Sequence, residues 1–279
     1  MNTNNFNTFI LSVKYGLCNR LRTLVVYQAL AELYKFKFKF CWELDYACSS
    51  YFCDLFVSSL NQLVSERKYQ KYTKSTNTIV CDFQLCTNYS VWQKYTTEKL
   101  KKNKHLFKLV WEPLVQKKAQ SLQLKEPIKK QVLNFYNTSF KSNVIGLHVR
   151  RTDHIHDKKH YAKTNNWGKN NFIWSKKQAA QKDSTLLKLI TKEIKLNKQT
   201  QFFLATDDQK TEQKFVNSFP NNIVVYPKHY DSSKLRQTTM QEALTDLYLL
   251  SMCKKVVGTT GSSFSLYAAK LGGIKCFLI

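Results

Sequence analysis

The sequence predicts an α/β protein of two halves, the second built as a doubly wound parallel sheet. Strand-like and helix-like stretches alternate from residue 144 to the end of the chain, as parallel strands joined by crossover helices require. The unusual polar residues fall just after predicted strands, where sheets of this kind hold ligands. A chain of 279 residues, 43% hydrophobic and 14% aromatic, can also bury one large core or two modest ones. A disordered chain is therefore excluded.

Taken in order, residues 9–13 read as the first strand. Gly16-Leu17-Cys18-Asn19 follows, and then an apolar-periodic run at Leu21, Leu24, Val25, Ala29 and Leu33 marks a helix. Residues 36–42 alternate Lys and Phe as far as Cys41, the pattern of a half-buried strand. The Lys-dense stretch 94–130, with Pro113 and Pro127 as expected breakers, reads as a pair of solvated helices. The polar segment 136–143 reads as the crossing between halves, which places the domains at 1–140 and 141–279.

In the second half, 144–148 is a short apolar strand, followed by a polar, aromatic loop to Ser175. The next helix carries Leu186, Leu189, Ile190 and Ile194 on its core face. Strand 202–205 ends at Thr206-Asp207-Asp208, a helix runs to about Ser218, and 223–226 is the next strand. Thr239 with Glu242 three residues on is a capping box, which opens a helix through Met252. Strand 255–258 leads through Thr259 to Ser262 into a helix closed by Gly272-Gly273, and 274–279 is the last strand.

Several classes fall away. No run of about 18 apolar residues occurs, so no membrane span is expected. The N-terminus lacks a basic start and an apolar stretch, so export is not indicated and a cytoplasmic location is expected. The eight cysteines contain no CxxC pair and read as reduced, buried thiols. The absence of GxGxxG and GxxxxGK[ST] argues against a standard dinucleotide fingerprint or a Walker loop.

Charge is the unusual number: 44 Lys plus Arg against 19 Asp plus Glu gives +25, which should attract polyanions. Only six of the 44 are Arg, and four of those lie in Asn19-Arg20-Leu21-Arg22 and His148-Val149-Arg150-Arg151. Paired guanidiniums suit a diphosphate because Arg offers a rigid fork of donors that Lys cannot match. A surface ion pair with Asp153 or Asp157 is the plainer alternative. Ser262 and Ser263 open a helix whose free N–H groups and positive dipole end favour phosphate, although an ordinary N-cap fits them as well. Asp246 shares a helical face with Ala243 and Leu250, and an unpaired charge buried there would cost roughly several kcal/mol. It needs a partner: a Lys, a backbone donor or a nucleotide edge.

His148-Val149-Arg150-Arg151-Thr152-Asp153, Phe203-Leu204-Ala205-Thr206-Asp207-Asp208, and Thr245-Asp246-Leu247 with Leu250-Ser251 and Thr260-Gly261-Ser262-Ser263 form an ordered set. In order and spacing they resemble the three motifs of the fucosyltransferase superfamily. The pattern is most similar to α1,6-fucosyltransferases of N-glycan cores and nodulation factors, with protein O-fucosyltransferases and α1,2-fucosyltransferases as relatives. Gly16 to Arg22, with Trp42, Cys48 and Asp54-Leu55-Phe56, resembles the opening of such proteins.

The resemblance implies a GT-B architecture, two Rossmann-like halves facing across a cleft, with the first half on the acceptor side. It implies an inverting transfer of L-fucose from GDP-fucose to a glycan hydroxyl, with no metal and no other cofactor. Carried over by motif, Arg150 would hold the β-phosphate, while His148 and Asp246 would contact guanosine. Ser262, Ser263 and Phe264 would line the diphosphate, with Arg151, Thr152 and Asp207 supporting, and Asn19 and Arg20 would approach from the first half. The sequence departs from the core-type pattern after HVRRTD, where a Lys and then a Glu give way to His154-Ile155-His156-Asp157-Lys158. Asp157 is the candidate base for the acceptor hydroxyl, with His156 second. The alternatives are another GDP-linked sugar, a catalytically idle relative, or a basic protein that binds polyanions or nucleic acid. Expected partners are a GDP-sugar and a glycan acceptor, with no specific nucleic acid, while the Lys-rich exterior leaves peripheral contact with acidic membranes open.

Overall fold

A computed structural model of the chain describes residues 7–57, 62–82, 88–96, 107–141, 143–151, 176–234 and 237–279. They divide into two compact units, Met1–Glu126 and Pro127–Ile279.

The first unit is built on a three-stranded parallel sheet. Its centre is β1 (Thr8–Val13), flanked by β2 (Lys37–Trp42) and β3 (Thr78–Val80). Every β1 residue is buried, as the central strand of a covered parallel sheet requires. The crossover from β1 to β2 is helix α1 (Leu17–Tyr34), which ends where Lys35 takes a left-handed conformation. Two short helices follow, α2 (Phe52–Leu55) and α3 (Glu66–Thr73), then α4 (Asn88–Tyr95). A π-helical turn at Phe107–Trp111 leads into α5 (Glu112–Gln120), which packs on α1. Trp92 and Trp111 meet at 5.5 Å between ring centroids and fill the space beneath.

The second unit opens with α6 (Glu126–Ser139) and then builds a five-stranded parallel sheet from β4 (Ile145–Val149), β5 (Phe202–Thr206), β6 (Ile223–Val224), β7 (Lys255–Gly258) and β8 (Lys275–Leu278). The spatial order is β6-β5-β4-β7-β8. The crossovers are α7 (Lys176–Leu196), α8 (Gln209–Ser218), α9 (Met240–Ser251) and α10 (Ser263–Gly272).

Strand alternation sorts the two faces. Ile145, Leu147 and Val149 join Phe202, Leu204 and Val257 in one core with Leu186 and Ile190 of α7 and Phe215 of α8. Gly146 and His148 point the other way, toward α9 and α10: an added Cβ at Gly146 would lie 2.9 Å from Leu250, and His148 reaches Ser265. The helical face expected at Leu186, Leu189, Ile190 and Ile194 is the face that meets this core.

The prolines act differently from the expectation. Pro113 lies in the first turn of α5 and Pro127 in the first turn of α6, where a missing N–H is harmless and the fixed φ suits a helix. They start helices instead of breaking them. The segment expected to carry the crossing begins inside α6, whose Phe135 packs against Phe140, Phe203 and Tyr226 of the second unit. The capping box at Thr239 and Glu242 is present with both reciprocal bonds. Among the described residues no helix is long and apolar enough to cross a membrane, and every described cysteine is a free thiol.

Candidate functional site at the switch point of the second sheet

Numbered within the second unit, its strands run in the order 3-2-1-4-5. The order reverses between β4 and β7, and a doubly wound sheet opens a crevice at the carboxyl ends of such a pair. His148, Arg150 and Arg151 leave β4 there, Thr259 to Ser262 leave β7, and Asp207 leaves the neighbouring β5.

Side chains lock the three strand ends together. The Thr259 hydroxyl donates to the His148 carbonyl at 3.0 Å and accepts from the Arg150 amide at 3.1 Å. Asp207 accepts the Arg151 amide on Oδ1 at 2.8 Å, and its Oδ2 lies 3.2 Å from Arg150 Nε. The Arg150 guanidinium is thus steered by a carboxylate at its inner nitrogen, with its side chain 15% exposed at the crevice. Arg151 turns inward: its guanidinium bonds Asp183 of α7 and, at 2.8 Å, the Arg150 carbonyl. Lys214 of α8, itself exposed, reaches the same carboxylate from outside at 2.7 Å.

Helix α10 begins at the same place. Ser262 is its N-cap and accepts from the Phe264 amide at 3.3 Å, after Gly261 turns the chain at φ 81°. Its first turn presents the positive end of the helix dipole, the setting in which helix N-termini can hold an anion. Gly258 lets α10 approach β7 closely, since a Cβ there would lie 2.0 Å from Ser265 Oγ. That approach places Ser265 Oγ 2.7 Å from His148 Nδ1, while Phe264 stacks on the His148 ring at 4.7 Å and 21°. His148 is therefore held on two sides and buried.

Asp208, adjacent to Asp207, caps α8 by accepting the Thr211 amide at 2.9 Å and the Thr211 hydroxyl at 2.7 Å. The aspartate pair thus divides between an arginine and a helix cap. Among the described residues no group of three His, Cys, Asp or Glu side chains could hold a metal.

Asp246 lies on α9, buried as its helical face requires, and its partner is Lys228, 2.9 Å from Oδ2. Lys228 is itself fully buried and lies 3.4 Å from Glu212, which accepts the Tyr230 hydroxyl at 2.6 Å. Burial pushes the Asp246 carboxyl up to about 6, while Lys228 opposes the rise.

In the first unit, Arg20 is completely buried. Its guanidinium donates to the carbonyls of Tyr15, Val13 and Glu43 and pairs with Asp45 at 2.7 Å, beneath the Trp42 ring at 4.9 Å. Asp45 also accepts the Tyr15 amide at 2.6 Å, and Tyr15 adopts φ 62°, unusual for a bulky residue. Arg20 thus ties the loop after β1 to the loop after β2 from within. Asn19, half-buried beside it, accepts from Arg22 at 3.1 Å.

Of the residues expected at the site, His148, Arg150, Arg151, Asp207, Ser262, Ser263 and Phe264 gather at the switch point. Asp246 belongs to the adjoining buried cluster, and Asn19 and Arg20 belong to the first unit. Thr152, His156 and Asp157 lie outside the described residues. The sequence reading placed Thr259 at the strand end without a role, anticipated a lysine as one possible partner of Asp246 without locating Lys228, and missed Ser265. Ser265 was legible in principle, because it lies one turn along α10 from Ser262 and faces the side-chain-free Gly258. Lys228 gave no signal in a chain so rich in lysine.

No protein-family model and no curated protein matches the sequence. Solved structures do. The α1,6-fucosyltransferase NodZ soaked with GDP-fucose is 17% identical, with a TM-score of 0.54 over 95% of this chain and 92% of that one. A variant of Arabidopsis thaliana FUT1 in complex with GDP is 12% identical, with a TM-score of 0.59 over 98% of this chain and 70% of that one. POFUT1 in complex with GDP is 12% identical, with a TM-score of 0.52 over 99% of this chain and 98% of that one. At these identities it is the fold that is shared, and the chain has the α/β fold seen in these fucosyltransferase structures.

Proposed function

We propose that this chain is a glycosyltransferase that binds GDP-fucose at the switch point of its second unit and transfers L-fucose, with inversion, to a hydroxyl of a glycan acceptor. The observation that carries the reading is the convergence of Arg150, its Asp207 brace and the α10 N-terminus on the reversal between β4 and β7. The fold agrees with it: the NodZ structure was soaked with GDP-fucose, and the FUT1 and POFUT1 structures contain GDP.

In this reading the diphosphate lies against Arg150, the Ser262 and Ser263 end of α10, and Phe264. His148 and Asp246 serve the nucleoside, Arg151 and Asp207 hold Arg150 in place, and Thr152 extends the motif. Arg20, expected to approach the donor, is instead completely buried and acts within the first unit by fixing the loops around it, with Asn19 beside it. As the bond from fucose to GDP breaks, negative charge grows on the β-phosphate while the sugar gains oxocarbenium character. Fixed donors that meet this charge lower the barrier without reorganising. Arg150 supplies them as a braced fork, so the proposal assigns the leaving-group charge to protein donors and requires no metal. Attack by the acceptor oxygen on the opposite face inverts the anomeric carbon. Asp157, with His156 second, is proposed as the base that takes its proton.

The test is calorimetric titration with GDP, GDP-fucose, GDP-mannose and UDP-sugars, with and without EDTA, followed by an acceptor screen on the donor that binds. The reading expects GDP-fucose to bind equally well in EDTA and to be consumed with an acceptor glycan. Tighter binding of GDP-mannose would reassign the sugar. Salt-dependent binding of nucleic acid without affinity for any GDP compound would overturn the reading.

A further inference from the structure

Helix α7 carries two acids, and each is paired with a cation of the second unit. Glu193 lies 2.8 Å from Lys255 at the start of β7, whereas Asp183, buried and nearer the helix start, meets the strand ends that form the crevice. Both oxygens of Asp183 are taken: Oδ1 by the Arg151 guanidinium and Oδ2 by Lys214 at 2.7 Å. The preceding residue, Lys182, reaches the other wall. Its Nζ donates at 2.6 Å to the Ile279 carbonyl, which also accepts the Thr260 amide at 2.9 Å and the Thr260 hydroxyl. Burial and the nearby Arg151 hold the Lys182 pKa below its ordinary value, as expected of an ammonium drawn in beside a guanidinium. Adjacent side chains of one helix therefore reach both loops of the switch point, Asp183 the loop after β4 and Lys182 the loop after β7.

What Asp183 holds, through Arg151, is the backbone that carries Arg150. The Arg151 guanidinium donates to the Arg150 carbonyl at 2.8 Å, and the Arg151 amide donates to Asp207 Oδ1 at 2.8 Å. The Arg150 amide is fixed by the Thr259 hydroxyl at 3.1 Å. With the groups on both sides of its Cα pinned, Arg150 can aim its guanidinium only over a narrow range, and the Asp207 contact at Nε selects within it. A guanidinium left unpaired in the interior is costly. Without Asp183, the buried Arg151 must seek another acid, and Asp207 is already in contact with the same residue. The brace on Arg150 would then be shared.

We propose that Asp183 is a positioning residue for sugar transfer: it holds Arg151 inward, so that Asp207 is left to brace Arg150 against the β-phosphate, while Lys182 beside it fixes the facing loop. This inference rests on the donor site proposed above, and it adds two residues that lie outside the sequence motifs.

Such a role has a signature that damage to packing does not. Asp183 is an acid beside the site, so neutralising it makes the surroundings more positive, and affinity for a diphosphate should hold or tighten. Negative charge grows on the β-phosphate only as the sugar leaves, so a misaimed Arg150 lowers the rate at saturation and not the binding of GDP. General loosening of the unit weakens both.

The experiment measures GDP dissociation constants, GDP release at saturating GDP-fucose and urea unfolding for full-length wild type, D183N and K182M. Release is followed with the acceptor found by the screen and with water alone, which adds to the anomeric carbon as GDP departs. D183N should release GDP about 10- to 100-fold more slowly, the range for a group displaced by about 1 Å, while binding GDP at least as tightly as wild type. K182M, altered at a half-buried position, should also slow release with GDP affinity within about threefold of wild type, which tests the proposal even where D183N does not fold. A normal rate in folded D183N, a normal rate in K182M, or affinity lost in step with the rate in either overturns the proposal and leaves the donor site standing. Wild type that fails to bind GDP, or binds it and releases none from GDP-fucose, overturns the donor reading as well.

Discussion

Arg150 and Arg151 are adjacent in sequence but direct their guanidiniums to different places. Arg151 is buried against Asp183, whereas Arg150 is braced by Asp207 at the crevice. Substituting Lys at 150 keeps a charge but removes the fork and the Nε contact. R150K should remain folded, with an unchanged thermal midpoint, and should lose about 10²- to 10³-fold in transfer rate, the usual loss for one fixed donor. Near-normal turnover would contradict the assignment. Asp246 makes a second prediction. Burial pushes its carboxyl up to about 6 from the ordinary 3.8 of an aspartate, so the folded state binds this proton more tightly than the unfolded chain. The group's contribution to stability therefore grows as pH falls from about 6 toward 3.8 and is absent at neutral pH. Stability of wild type minus that of D246N, from urea unfolding, should rise between about pH 7 and pH 4.5. A difference that ignores pH would show that Asp246 is not strained by burial. Arg150 and Asp246 both stood out in the sequence, one as an Arg in a Lys-rich chain and the other as an acid on an apolar face. Lys228 did not, because sequence records a residue's type but not its burial.

At the level of elements, the tightest junction is between β7 and α10. Gly258 leaves room for Ser265 against the strand, and Ser265 in turn holds the His148 ring. G258A should force the helix away and destabilise the unit by about 1–3 kcal/mol, as overpacking does. It should also weaken GDP binding beyond what the lost stability explains, because the α10 N-terminus moves with the helix. A drop in stability with intact affinity would separate the junction from the site. Most of this architecture was legible in the sequence because it follows period and punctuation. The fully buried β1 and β4 read as apolar runs, the Thr239 and Glu242 pair announced α9, and Gly272-Gly273 closed α10. Pro113 and Pro127 were misread because proline starts a helix as readily as it stops one, and only the following turn decides which. The roles of Thr259 and Ser265 were not legible because their partners, at His148 and Arg150, lie more than a hundred residues away and meet them only across strand ends.

At the scale of the whole molecule, the +25 charge and the anion site are separable. The Lys surplus is spread over the surface, whereas the donors proposed for the diphosphate are a braced, 15% exposed arginine and backbone N–H groups. Raising salt from about 50 mM to about 300 mM should abolish most binding to heparin or nucleic acid while reducing GDP affinity far less, since counterion release scales with exposed contacts. Parallel steep slopes for both would merge the two surfaces into one. Strand order has a further consequence, for how the protein is made. In each sheet the strand synthesised first is central, and every later strand joins an open edge: β2 and β3 beside β1, then β5, β6, β7 and β8 outward from β4. No strand has to insert between two that are already paired, so each sheet can assemble in the order in which it leaves the ribosome. The crevice lies between the first and fourth of the five strands, and its helix comes after the fourth. On the proposed function, the nascent chain has no nucleotide site until α10 has emerged, and GDP would stabilise the finished unit but none of the intermediates that precede it.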